Sequence, residues 1–237
     1  MTRVQLEPAY LLHHRAYRES SVLLEIFSAG RGRVGLVGRG ARSPKSKWRS
    51  LFQPFQRLLL SWSERGELGT LTGAEADGPP APLGGEAVFS GWYLNELLLR
   101  TLTRHDAHAE LFDHYATTLG ELSAGATPAS LRRFELRLLE NLGYGLPLTP
   151  DLDPAGWYDY HAETGARPCG PQPGAIRGTS LLDLAAERFD SPQTLRDARN
   201  LLRAALAPYL GDRPLQTPRL LRALRAARGP RAEALHA

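Results

Sequence analysis

A chain of 237 residues with 42% hydrophobic content can bury the core of one large domain or two modest ones, and its formal net charge is +4. No apolar run reaches the ~18 to 20 residues of a membrane span, and the N-terminal MTRVQLEPAY lacks a basic-then-apolar secretory pattern, so a cytoplasmic protein without a membrane partner is expected. The single cysteine, Cys169, excludes an internal disulfide framework and a multi-cysteine zinc site.

The first third reads as five short strands: Val4 to Leu12, Ser21 to Phe27, Arg33 to Val37, Gln56 to Trp62 and Glu67 to Leu71. Each carries apolar alternation or an apolar run, and turn residues separate most of them. Five strands in so short a stretch suit a small barrel of the oligonucleotide-binding type, although other small β folds share the pattern. The segment GAEADGPPAPLGG at 73–85 places Pro79, Pro80 and Pro82 where neither a sheet interior nor a helix can continue. A boundary is therefore expected there, with a nucleic-acid-binding barrel over 1–78 and a helical domain over 79–237.

From Glu86 the apolar period becomes helical. Ala87 to Leu102, Ala109 to Leu122 and Pro128 to Leu142 are expected to form three helices that pack together. Residues 144–178, rich in Gly and Pro and holding Trp157, Tyr158 and Tyr160, read as a loop-rich insertion with one hairpin. Helices resume over Leu181 to Phe189, Pro192 to Leu206 and Pro218 to Ala227. The fold class is thus α+β, a five-stranded OB-fold barrel followed by an all-helical domain.

Charge is distributed unevenly along this plan. Between Glu25 and Glu64 there is no acidic residue, while Arg31, Arg33, Arg39, Arg42, Lys45, Lys47, Arg49 and Arg57 occur there among glycines, Trp48 and Phe52. Residues 1–80 hold 12 Lys+Arg against 7 Asp+Glu, whereas 81–237 hold 17 against 18. Cations attract phosphate irrespective of sequence, glycines let the backbone approach, and aromatic faces stack on unpaired bases. Arg31, Arg33, Arg39, Arg42, Lys45, Lys47, Trp48 and Arg49 are the candidate DNA-binding residues. The competing reading is a solubilising surface. Arg213, Arg219, Arg222, Arg225, Arg228 and Arg231 form a second acid-free stretch near the C-terminus.

Catalytic patterns are missing from the sequence: no phosphate-binding P-loop, no G-x-S-x-G elbow and no H-E-x-x-H occurs. His13 and His14 point to opposite faces if they lie on a strand. His105 and His108, near Asp106 and Glu110, have metal-like spacing but no further ligand to complete a shell. A non-enzymatic protein with no cofactor and no metal is expected. In the helix at LRRFELRLLENL, Leu131, Phe134, Leu138 and Leu142 make an apolar stripe, with Arg132, Arg133 and Arg137 on other faces. Arginines beside leucines suit an acidic, apolar peptide; an ordinary amphipathic helix with a basic outer face explains them as well.

Several stretches resemble the bacterial RecO family of recombination mediators. They are R-x-Y-x-E-S at Arg15 to Ser20, LLEIFS, GRVGLVGRGARSPKS, and L-x-QPF at Leu51 to Phe55, followed by Y-x-NELL, LRRFELRLLENLGYG and PYLGDRPLQTPRLL. The resemblance implies a barrel and helical domain that bind single- and double-stranded DNA and anneal complementary strands. It also implies contact with the acidic tail of single-stranded DNA-binding protein and, with RecR, loading of recombinase RecA. The G-A-R-x-x-K-S signature places DNA-facing cations at Arg39, Arg42 and Lys45, and the LRRFEL match makes Arg132 and Arg133 candidates for the tail carboxylates. Some members carry a four-cysteine zinc site where this chain has only Cys169, so no structural zinc is expected. A cationic protein-interaction scaffold with incidental DNA affinity is the alternative.

Overall fold

The computed structural model describes residues 2–64, 66–125, 127–148, 151–161 and 164–228. Five strands, β1 (Arg3–Tyr17), β2 (Ser21–Ser28), β3 (Gly32–Gly38), β4 (Arg57–Ser63) and β5 (Leu68–Ala76), close into a barrel in the order β1-β2-β3-β5-β4. All neighbours are antiparallel except β3 and β5, which pair in parallel from Gly35 opposite Leu68 to Val37 opposite Thr70. β1 is long enough to serve two partners because bulges bend it, between Leu11 and His13 against β2 and between Val4 and Glu7 against β4. Inward-facing Leu24, Ile26, Val34, Leu36, Leu58, Leu60 and Trp62 fill the interior.

The outer face of the barrel is covered too, which is why β2 is buried on both faces. Helices α1 (Ala87–Thr101) and α2 (Ala109–Ser123) lie in the same compact unit. Tyr10 and Phe27, opposite one another on β1 and β2, meet Phe112 and Tyr115 of α2 with ring centroids 4.9 to 6.3 Å apart. The Tyr115 hydroxyl donates to Asn95 Oδ1 at 2.6 Å, and Asn95 Nδ2 donates to the Leu12 carbonyl at 3.1 Å. Gly32 (φ +63°) permits close approach of the α1–α2 connection: a Cβ there would lie 1.6 Å from the Asp106 carbonyl oxygen.

The last described helix, here α6 (Gln216–Arg228), also belongs to this unit and packs on α1. Glu96 receives the backbone N–H groups of Gln216 and Thr217 at 2.8 and 2.9 Å, and so caps the start of α6 from the neighbouring helix. Burial pushes the Glu96 carboxyl up, but those two backbone bonds, the Thr217 hydroxyl and Arg100 outweigh it and hold it below its usual range.

The second unit, residues 126–211, contains α3 (Thr127–Asn141), a sheet of β6 (Trp157–His161), β7 (Gly165–Cys169) and β8 (Ile176–Arg177) in the order β7-β6-β8, then α4 (Gly178–Ala185) and α5 (Pro192–Leu206). Ser191 caps α5 by accepting the Gln193 N–H at 3.2 Å, with Pro192 in the first turn. The insertion expected to be loop-rich therefore contains a hairpin and a third short strand. The three helices expected to pack together are distributed differently: α1 packs with α2 and α6, and α3 with α5. The helical sequence from 86 onward thus contributes to both compact units.

Candidate nucleic-acid interface

The β3–β4 connection carries most of the acid-free run. Successive turns wind it across the barrel, with Ser43 N–H bonded to Gly40 O, Ser46 to Ser43 O and Leu51 to Trp48 O at 2.9 to 3.0 Å. Its apolar side chains hold it down: Ala41 is in the barrel core, and Trp48, Leu51 and Phe52 pack against that core. Its polar residues alternate with these and face outward. Arg39, Lys45, Lys47 and Arg49 are exposed, and among the described residues none has a carboxylate within ion-pair distance.

Arg42 is exposed but partly engaged. Its backbone N–H donates to Ser20 O at 2.9 Å, and its guanidinium reaches the carbonyls of Arg18 and Glu19 at 3.3 and 3.2 Å. These bonds tie the loop to the β1–β2 turn, beside which lies an open groove of about 450 Å³. Tyr17, Arg18, Ser20, Arg39, Gly40 and Thr70 line it. The Arg18 guanidinium lies 5.2 Å from the centre of the Tyr17 ring, a cation–π contact. A cation, an aromatic face and hydroxyls around one groove match the chemistry of a nucleotide. Tyr17, Arg18 and Thr70 escaped the sequence reading because they lie outside the acid-free run; the R-x-Y-x-E-S stretch was the available signal.

Arg31, Arg33 and Trp48 are also engaged within the protein. Arg31 pairs with Glu64 at 3.3 Å. Arg33 donates to Glu25 at 3.0 Å and to the carbonyls of Leu99 and Leu102 at 2.6 and 3.3 Å, and so binds β3 to the C-terminal end of α1. Arg104 pairs with the other oxygen of Glu25 over Gly35, where the lack of a side chain leaves room for its guanidinium. Trp48, expected to offer a face to bases, is half-buried and packs against the barrel core, with its Nε1 buried and unpartnered among the described residues.

The arginines assigned to a partner tail also occupy particular settings. Arg132 is only 8% exposed and pairs with Glu135, itself 2% exposed, one helical turn later. It lies on the buried side of α3 because this pair is neutral overall and can be enclosed at tolerable cost. Arg133 is half-buried, its guanidinium 5.9 Å from the centre of the Phe189 ring. Arg137 is held by Glu140 and Glu187, contacts that raise its pKa, with the hydrogen bond to Glu140 the largest influence. Among the C-terminal arginines, Arg225 pairs with Glu86 and Arg222 donates to its own helix at Pro218 O. Arg231 and the Arg228 side chain lie outside the described residues.

A closed five-stranded barrel in this order, with exposed cations on the loop across it, defines an OB-like barrel protein with appended helices. Residues 1–79 match the family model for recombination protein O N terminal, and residues 84–219 that for recombination protein O C terminal. The chain is 48% identical to the DNA repair protein RecO of Alkalilimnicola ehrlichii, over 97% of this chain and 95% of that protein. It is 44% identical to that of Methylococcus capsulatus (93% and 94% covered) and 41% identical to that of Coxiella burnetii (92% and 98% covered). The chain belongs to the RecO family of DNA repair proteins. No helix among the described residues is long and apolar enough to cross a membrane.

Proposed function

We propose that this protein is a non-enzymatic recombination mediator. It holds single- and double-stranded DNA on the barrel loop, anneals complementary strands, and with RecR helps load recombinase RecA onto strands coated with single-stranded DNA-binding protein. The observation that carries the reading is the set of exposed cations, Arg39, Lys45, Lys47 and Arg49, with no carboxylate partner among the described residues, on one loop across an OB-like barrel. Family membership supports it.

In this reading the loop cations take successive phosphates, and Arg42 positions the loop while remaining at its edge. The groove at Tyr17 and Arg18 receives a base and its phosphate. Neutralising phosphate on both strands removes the repulsion that opposes annealing, and the release of condensed counterions drives binding. Arg31, Arg33 and Trp48 contribute by fixing the barrel and its loop. The acidic tail of single-stranded DNA-binding protein is received on α3, where Arg133 is the direct contact and the Arg132–Glu135 pair positions it.

The test is annealing of complementary strands coated with single-stranded DNA-binding protein that has or lacks its acidic tail. Tail-dependent acceleration that Arg133→Glu abolishes is the expected result. Acceleration of bare strands alone, indifferent to the tail, removes the partner half of the proposal. No acceleration in either case removes the mediator reading and leaves the cationic scaffold.

A further inference from the structure

Lys45 and Lys47 lie two residues apart on the loop that crosses the barrel, and every other basic side chain among the 29 Lys+Arg of the chain is arginine. Both lysines are exposed, and among the described residues neither amine has a hydrogen-bond or ion-pair partner. The hydroxyls beside them differ. Ser43 Oγ accepts the Lys45 N–H at 3.4 Å, Ser46 Oγ accepts the Trp48 N–H at 3.3 Å, and both serines are half-buried. The serines shape the turns, and the amines are left free to react.

Between residues 39 and 50 the chain also holds Arg39, Arg42 and Arg49, all exposed, and no acid. Ala41, Trp48, Leu51 and Phe52 seat this segment on the barrel core, so its charges are gathered on one short, anchored stretch. Like charges gathered without counter-charge attract a multiply charged anion and raise its local concentration. That attraction acts on any phosphate-bearing molecule, including a small one whose phosphate is a leaving group. Arginine stays protonated and does not react with such a donor, whereas a lysine amine is a nucleophile. The loop therefore holds two nucleophiles where an acyl phosphate is concentrated.

We propose that Lys45 and Lys47 form an acylation site for small acyl phosphates, and that their acylation grades the DNA affinity of the loop. The unprotonated amine attacks the acyl carbon and a C–N bond forms. The C–O bond to phosphate breaks, inorganic phosphate leaves with the electron pair, and the amine proton passes to it or to water. The resulting amide carries no charge. Arg39 and Arg49 keep theirs, so affinity falls by a fixed step and is not abolished. The control of affinity rests on the reading of this loop as the DNA path; the acylation site does not.

The test incubates the full chain and an equimolar reference amine, N-acetyl-lysine amide, with acetyl phosphate, and mass spectrometry reads acetylation at Lys45 and Lys47. The loop amines should react about tenfold faster than the reference, the gain that a cationic cluster gives a small anion. Inorganic phosphate or a single-stranded oligonucleotide should erase that advantage, and the uncharged donor N-hydroxysuccinimidyl acetate should not show it. The acetylated chain should bind a single-stranded oligonucleotide with a log–log salt slope lower by about 1.4 and, at about 0.1 M salt, about 25-fold more weakly. Lys45→Arg with Lys47→Arg, treated in the same way, should bind as it does untreated. Equal rates for loop and reference amines with acetyl phosphate, or the same advantage with the uncharged donor, overturn the acylation site. An unchanged slope after acetylation, or an equal loss in the arginine variant, overturns its control of DNA affinity. Salt-insensitive DNA binding by the untreated chain removes the proposed function and that control with it, while the rate comparison still decides the acylation site.

Discussion

Replacing Arg39, Lys45 and Lys47 together by alanine isolates the electrostatic part of the proposed function. These three, with Arg49, are exposed cations without a carboxylate partner among the described residues, so each can neutralise a phosphate, whereas Arg31 and Arg33 are already neutralised by Glu64 and Glu25. On single strands each neutralised phosphate contributes about 0.7 to the log–log salt slope, so the slope should fall by about 2. The same relation, taken from 1 M to about 0.1 M salt, makes binding roughly 100-fold weaker in the variant. Fluorescence anisotropy with homopolymer and mixed-sequence oligonucleotides between about 50 and 200 mM salt measures both quantities. The loss should be equal for all sequences, since phosphate contacts carry no base information. An unchanged slope, or a loss confined to one sequence, refutes the reasoning.

Arg33→Ala should behave oppositely: it leaves Glu25 with one partner and frees two α1 carbonyls, so about 2 to 3 kcal/mol of stability is lost in denaturant melts, with the salt slope of the folded protein unchanged. Trp48→Phe removes the buried, unpartnered Nε1 and keeps the ring on the barrel core, so stability and DNA affinity should both hold; Trp48→Ala should cost about 2 to 4 kcal/mol of stability in denaturant melts through the cavity it leaves. The Glu96 carboxyl is depressed in the folded chain, so its cap on α6 contributes fully above the ordinary glutamate value of 4.5 and is lost as pH falls through the lower folded value. The protection of the Gln216 and Thr217 amides against hydrogen exchange, relative to their intrinsic rates, should therefore fall below pH 4.5, and in Glu96→Gln this acid-dependent step should disappear.

The strands were legible because their interior faces alternate with regularity. Leu24, Ile26, Val34, Leu36, Leu58 and Leu60 all point into the barrel, and the observed bounds of β2, β3 and β4 lie close to the expected ones, whereas β1 and β5 run on to Tyr17 and Ala76, past the expected ends at Leu12 and Leu71. Helices α1 to α5 were legible from their apolar period and, at α5, from Ser191 and Pro192. Partnership was not legible. Arg33 sits in an acid-free run, yet its carboxylate comes from the adjacent strand and its carbonyls from 66 and 69 residues away. Trp48 looks like a stacking platform until the barrel interior beneath its loop is known. Arg132 was read on the polar side of α3 because arginine is rarely buried, and only Glu135 at i+3 makes its enclosure tolerable. The cap that Glu96 places on α6 required the pairing of α1 with α6, which joins residues 120 and 121 positions apart.

Lys45 and Lys47 are the only lysines in the chain, and both lie on the loop held across the barrel. Amine acetylation followed by mass spectrometry therefore reports on that loop and on no other lysine. With saturating single-stranded oligonucleotide at moderate salt, both lysines should be protected, and protection should vanish as salt displaces the DNA. Equal acetylation of Lys45 and Lys47 with and without bound DNA would contradict the placement of the DNA path on this loop.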